Sequence, residues 1–100
     1  MFKIMALDVG TKRIGIAISD FLQVIATPHS TIPRQPEDWA IAEIKKIARD
    51  NKVEKIVVGL PKNMDDTVGF QGQDCIDFSQ KITGFDIILE DERQLYHPYF

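Results

Sequence analysis

The sequence predicts an α/β fold built on a mixed five-stranded sheet in the order 3-2-1-4-5. Three observations lead there. Three extended segments follow one another from the N-terminus, the order of an antiparallel meander. Helix, strand, helix and strand then alternate, the order of parallel crossovers. Finally, the run KIVVGLP is apolar without alternation, as a strand covered on both faces reads.

Each element has its own signal. Residues 2–8 carry apolar side chains on both faces, which predicts a central strand. Residues 14–19 put Ile14, Ile16 and Ile18 on one face with small residues between them, a period of two. Ser19-Asp20 reads as a turn. Residues 22–32 are rich in Val, Ile and Thr but hold Pro28, which has no N–H for a sheet ladder, so an interrupted edge strand is expected. Pro33 to Pro36 read as a linker. Residues 37–50 form a helix, with Ala40, Ile41, Ile44, Ile47 and Ala48 at helical spacing, Pro36 at the start and Asn51 as a cap. Glu37 and Asp38 lie in its first turn, where the helix dipole favours acids. Residues 70–83 form a second helix with Phe70, Cys75, Phe78 and Ile82 inward and Gly84 past its end. FDIILEDER is the fifth strand and again ends in acid. Residues 1–93 are expected to form one domain, and 94–100 an atypical tail.

A chain of 100 residues, 44% hydrophobic, suits one domain with a modest core. Its one cysteine, Cys75, excludes an intrachain disulfide and a cysteine-based zinc site. His29 and His97 are far apart in sequence and form no ligand pattern. MFKIMALD is too short an apolar run for a signal peptide, and no run approaches the roughly 20 residues that span a bilayer. The expectation is a cytoplasmic protein with no membrane partner.

The chemistry is expected at one edge of the sheet. Strands one, four and five run parallel, so their carboxyl ends share that edge, where open α/β sheets bind ligands. Asp8 ends strand one. Gly59-Leu60-Pro61 ends strand four, with Asn63 and Asp65 just beyond, and Asp91 and Glu92 end strand five. Neighbouring strands lie ~4.8 Å apart. Carboxylates there can reach a common pair of metal ions, which in two-metal sites sit roughly 3.5–4 Å apart. Oxygen donors select Mg²⁺ or Mn²⁺ over zinc. Such ions would activate water against a phosphodiester. Lys12, Arg13, Lys62 and Arg93 fall in the loops at this edge, placed to hold flanking phosphates. Asp65 and Asp66 read first as turn residues before a helix, with Asp65 kept as an additional metal ligand. Gly10 answers to backbone geometry, either a positive φ or close packing, and Gly59 to a close backbone approach.

ALDVGTKRIGIAISD, VVGLPKNMDDT and DER, in this order and at these distances, resemble the YqgF/RuvX family over residues 3–93. The resemblance implies a ribonuclease H-like fold. It also implies nuclease activity, on Holliday junctions or in 5′-end maturation of pre-16S rRNA. It makes Asp8 and Glu92 metal-binding catalytic residues, with Mg²⁺ or Mn²⁺ as cofactor and RNA or branched DNA as partner. The net charge of −3 is less basic than a nucleic-acid coating protein carries, but metal-binding carboxylates add negative charge at the site itself. The chain departs from the family where Asp66 stands for a usual glycine and Val68 for a frequent acid. After DER the family continues into a helical region with a further catalytic aspartate, whereas QLYHPYF does not match it. The C-terminal helix is therefore expected to be missing or altered and one sheet face partly bare. Tyr96, Tyr99 and Phe100 would cover some of that face or mediate self-association, giving a monomer or a homodimer. Two alternatives stand beside the nuclease. One is a catalytically impaired nucleic-acid-binding domain of the same fold. The other is a nucleotide-binding domain, since DVGTKRIG also resembles the first phosphate loop of sugar kinases and actin-like ATPases. The latter need two lobes, which 100 residues cannot supply.

Overall fold

The structure, a computed structural model, describes residues 2–20 and 26–91. β1 (Lys3–Val9) pairs antiparallel with β2 (Arg13–Ser19), and β2 antiparallel with β3 (Ala26–Pro33). On its other side β1 pairs parallel with β4 (Val53–Leu60), which pairs parallel with β5 (Asp86–Asp91). The sheet order is β3-β2-β1-β4-β5, as predicted. Helix α1 (Glu37–Asp50) joins β3 to β4, and α2 (Phe70–Gln80) joins β4 to β5.

Alternation along each strand divides the sheet into two faces. Met5, Leu7 and Val9 of β1 lie on one face with Ile14, Ile16 and Ile18 of β2 and Ile56, Val58 and Leu60 of β4. They form one buried cluster with Ala40, Ile44, Ile47 and Ala48 of α1 and Cys75 and Phe78 of α2. Both helices therefore cover the same face. Each isoleucine or leucine buried there contributes about 1.5–3 kcal/mol, so this face supplies most of the driving force for folding. The other face carries Ala6, Asp8, Gly15, Ala17, Val57 and Gly59. At its centre Ala6, Ala17 and Val57 are buried, and the expectation of a partly bare face turns on residues outside the described ones. The expectations for Tyr96, Tyr99, Phe100 and a missing final helix lie outside the described residues.

Helix α1 has the bounds the periodicity predicts. Pro36 precedes it, and Asn51 closes it with its amide N–H and Nδ2 both donating to the Ile47 carbonyl, at 3.1 and 2.8 Å. Four details differ from the sequence reading. Phe70 is not inward but 96% exposed. At 3.6 residues per turn it lies about 140° around the helix from Cys75, five residues on. Gly72 takes the inward place, packed so closely that a Cβ there would stand 2.6 Å from Val68 Cγ1 and 2.8 Å from the Pro61 carbonyl oxygen. Helix α2 ends at Gln80, and Ile82 is buried just past it. β3 runs through Pro33, which the linker reading excluded, and holds Pro28 beside a bulge. Ile16 faces Ser30 and Ala17 faces Pro28, leaving His29 as the extra residue. Residues 22–25 of that expected strand lie outside the described residues. Asp66 adopts φ 67°, a left-handed conformation in which glycine is unstrained and aspartate is tolerated.

Candidate functional site

The carboxyl edge begins with Asp8, next to last in β1. Its partner across β2 is Gly15, where, among the described residues, an added Cβ would meet only Asp8 Cβ, at an ordinary 3.6 Å. No described residue packs so closely as to require that glycine, and Asp8 beside it is exposed. Towards β4 the last registered pair is Leu7 with Val58, and one step beyond come Asp8 and Gly59. A second glycine therefore flanks the carboxylate. Glu90 of β5 pairs with Gly59 and so lies on Asp8's face, whereas Asp91 pairs with Leu60 and belongs to the helix-covered face. The two remaining predicted residues of this edge, Glu92 and Arg93, lie outside the described residues. Among the described residues, no group of three His, Cys, Asp or Glu side chains is placed to hold a metal ion.

The turn after Asp8 is tight. The Gly10 N–H donates to the Arg13 carbonyl at 2.8 Å, and a Cβ on Gly10 would stand 2.8 Å from that same oxygen. Close packing, not a positive φ, demands this glycine. Lys12 and Arg13 are exposed on the turn, and Lys62 is exposed where β4 leaves the sheet. Among the described residues, the side chains of Asp8, Lys12, Arg13 and Lys62 have no hydrogen-bonding or ion-pair partner.

The loop after β4 is ordered by its own bonds. Asp65 Oδ1 accepts from the Thr67 hydroxyl at 2.6 Å and from the Thr67 N–H at 3.1 Å, an Asx turn. The hydroxyl first, and the amide second, hold the Asp65 carboxyl below its ordinary range. Asn63 closes the loop, its N–H donating to the Thr67 carbonyl at 2.8 Å and its Nδ2 to the Thr67 hydroxyl at 3.0 Å. A cleft of about 190 Å³ opens between Lys62, Asn63 and the first turn of α2. A larger cleft, about 410 Å³, lies at the opposite end of the sheet between Lys3, Asp20 and His29. Its histidine is bonded to Ser30 at 2.8 Å.

A different residue holds the edge together. Arg34 is 6% exposed and forks onto Asp74 of α2, Nη1 to Oδ2 at 2.6 Å and Nη2 to Oδ1 at 2.7 Å. Nη1 also donates to the Gly10 carbonyl at 3.1 Å, and the Arg34 backbone N–H donates to the Lys12 carbonyl at 2.9 Å. The guanidinium lies over the Phe78 ring, 5.1 Å from its centre, with Glu37 Oε2 at 3.7 Å. Glu37 in turn pairs with Lys81. The hydrogen bond from Arg34 pulls the Asp74 carboxyl below its ordinary range, and the same bond raises the arginine. Beside this clasp, the Cys75 thiol reaches the Val9 carbonyl at 3.6 Å. Sequence reasoning placed Arg34 in a linker. Its partner is 40 residues away, and no local pattern announces such a pair.

The edge thus presents an exposed carboxylate between two glycines, with cations on the adjoining loops that have no partner among the described residues. That arrangement suits a ligand that is anionic along its length and reacts at one point. A sequence model of the family described as "RuvX: Holliday junction resolvase" matches residues 2–94. A Staphylococcus epidermidis protein named "Putative pre-16S rRNA nuclease" is 42% identical over 97 residues, spanning 91% of this chain and 68% of its own. A protein of the same name from Clostridioides difficile is 45% identical over 94 residues, spanning 91% and 67%. Among solved structures, T. thermophilus RuvC in complex with a Holliday junction substrate superimposes with a TM-score of 0.62 at 10% identity, over 95% of this chain and 68% of that one. At that identity the likeness is one of fold, the ribonuclease H-like sheet.

Proposed function

The chain belongs to the RuvX family, and on that premise we infer that it is a metal-dependent nuclease of structured nucleic acid, acting in the cytoplasm on the 5′ end of pre-16S rRNA. The observation that carries this reading is the exposed Asp8 between Gly15 and Gly59, at one edge with the exposed cations Lys12, Arg13 and Lys62, which have no partner among the described residues. In this reading the cations hold phosphates on either side of the scissile bond. The tight Gly10 turn fixes two of them relative to Asp8. Phosphate contacts set register and orientation, and only the reacting group needs to meet the scissile phosphorus.

The donor chemistry fits a hard divalent cation. Asp8 offers carboxylate oxygens with no protein donor competing for them among the described residues. Asp8 and Glu92 would hold Mg²⁺ or Mn²⁺, with Asp65 as an added ligand if its Thr67 bonds open. Bound there, such ions supply an activated water and a counter-charge for the leaving oxygen. Arg93 joins Lys62 and the turn cations on the phosphates. Residues 1–93 act as one domain in this reading.

The second reading, resolution of branched DNA, is favoured by the family's description and by the fold likeness to RuvC. A resolvase cuts two strands symmetrically and calls for a homodimer, whereas a single-cut RNA nuclease works as a monomer. The test is cleavage of a labelled pre-16S 5′-leader RNA and a four-way DNA junction, each with and without Mn²⁺. Mn²⁺-dependent cutting of the leader is expected. Cutting of the junction alone would replace the first reading with the second, and binding of either without cutting would make the chain an impaired binding domain.

A further inference from the structure

We propose that Arg34 is a positioning residue, a clasp whose guanidinium fixes the β1–β2 turn against helix α2 and so sets where Asp8, Lys12 and Arg13 stand toward the nucleic acid. The proposal rests on the functional reading above for its consequence, and on geometry alone for its mechanism. Arg34 holds the turn at two points, through Nη1 on the Gly10 carbonyl and through its own N–H on the Lys12 carbonyl. The first of these carbonyls lies two residues past Asp8, and the second belongs to one of the cations. Asp74 fixes the other end of the fork, and the Cys75–Val9 contact ties the same helix to the end of β1.

The chemistry requires arginine. A planar guanidinium satisfies both carboxylate oxygens and still has an N–H for the Gly10 carbonyl. A lysine ammonium is a point charge and cannot span both partners. The Phe78 ring and the 6% exposure keep water from the guanidinium, while the Asp74 side chain stays 45% exposed, so the fork is held by its two-point geometry rather than by burial of both charges. Loss of the Gly10 bond frees the turn without removing a charge from the edge. Displacements of about 1 Å at a site of this kind cost up to ~10²-fold in rate.

Two variants separate positioning from plain stabilisation. Arg34→Lys keeps a positive charge near Asp74 but loses the donor to Gly10. Asp74→Asn weakens the ion pair but leaves the guanidinium free to hold the turn. Amide hydrogen exchange at Gly10 and Arg34 is measured for both, each at the same interval below its own Tm. Cleavage kinetics on the 5′-leader RNA are measured alongside. The expected result is exchange about tenfold faster in Arg34→Lys, with Asp74→Asn within about threefold of wild type, reflecting a local opening rather than a global one. The kcat is expected to fall in step, with KM changed less. Equal exchange rates and equal kinetic losses in the two variants would overturn the proposal and leave Arg34 a structural ion pair. A wild-type chain that neither binds nor cuts nucleic acid would refute the nuclease reading instead, while the exchange comparison would still decide the clasp.

Discussion

Two sets of charges meet at the β1–β2 turn and are treated in opposite ways. Around Arg34 every charge has a partner: Asp74 takes the fork, Glu37 stands at 3.7 Å and also pairs with Lys81. At the carboxyl edge, Asp8, Lys12, Arg13 and Lys62 have none among the described residues. The difference does not follow from composition, since both sets mix acids with bases. It follows from the burial of the one side chain at the centre of the first set, Arg34. The Arg34 side chain is withdrawn from water, and a withdrawn charge must be matched. The edge charges are solvated, and their fields remain available to a ligand. The partnered set stabilises the scaffold, and the unpartnered set is what the scaffold presents.

On that contrast, substitutions in the partnered set register in stability, with Arg34 reaching activity only through the turn it holds, and substitutions at the edge register in activity alone. The largest stability loss is expected from Arg34→Ala, about 3 kcal/mol, because it removes a buried side chain packed on Phe78 and leaves the Gly10 carbonyl without its donor. Urea unfolding measures it, and a loss under about 1 kcal/mol would erase the contrast. Gly72→Ala comes next, at about 2 kcal/mol, because its Cβ has nowhere to go but the Pro61 carbonyl and Val68. Its Tm should fall with little change in nucleic-acid affinity.

Acid sharpens the comparison further. The folded Asp74 carboxyl titrates below its ordinary value of 3.8. Its pairing therefore stabilises the fold fully above that value and ceases to do so as pH falls through the depressed one. Stability followed from neutral pH down through this range should decline, and Asp74→Asn should flatten part of that decline. The smallest effect on the fold belongs to the edge. Lys12→Ala, Arg13→Ala and Lys62→Ala should each change stability by less than about 0.5 kcal/mol. Each should nonetheless lower the slope of log affinity against log salt by about 0.7–0.9 for every phosphate the protein no longer neutralises.

The same contrast explains what was legible in the sequence. Helix α1 was readable to the residue because its five apolar positions, its leading proline and its closing asparagine are local signals. The sheet order followed from connectivity, and Asp8 stood out because an acid seldom ends an apolar strand. Arg34 was not readable. A long-range pair depends on which surfaces the fold brings together, and the stretch around it holds two prolines that read as a linker. Phe70, expected inward with Cys75 and Phe78, is exposed because its angle around the helix axis places it away from them. Asp66 shows a third case. The resemblance marked its position as one where glycine is usual, and φ 67° supplies the physical reason.

The most direct test of the account is Asp8→Asn, with stability and cleavage measured on the same preparation. The substitution is nearly isosteric and removes a charge that has no described partner. Unfolding free energy within about 0.5 kcal/mol of wild type is predicted. A fall in Mn²⁺-dependent kcat on the 5′-leader RNA of about 10³-fold or more should accompany it, the scale on which loss of a reacting group is felt. Unchanged cleavage would contradict the account by removing Asp8 from the chemistry. A matching loss of stability would contradict it as well, by showing that the open carboxylate was part of the scaffold.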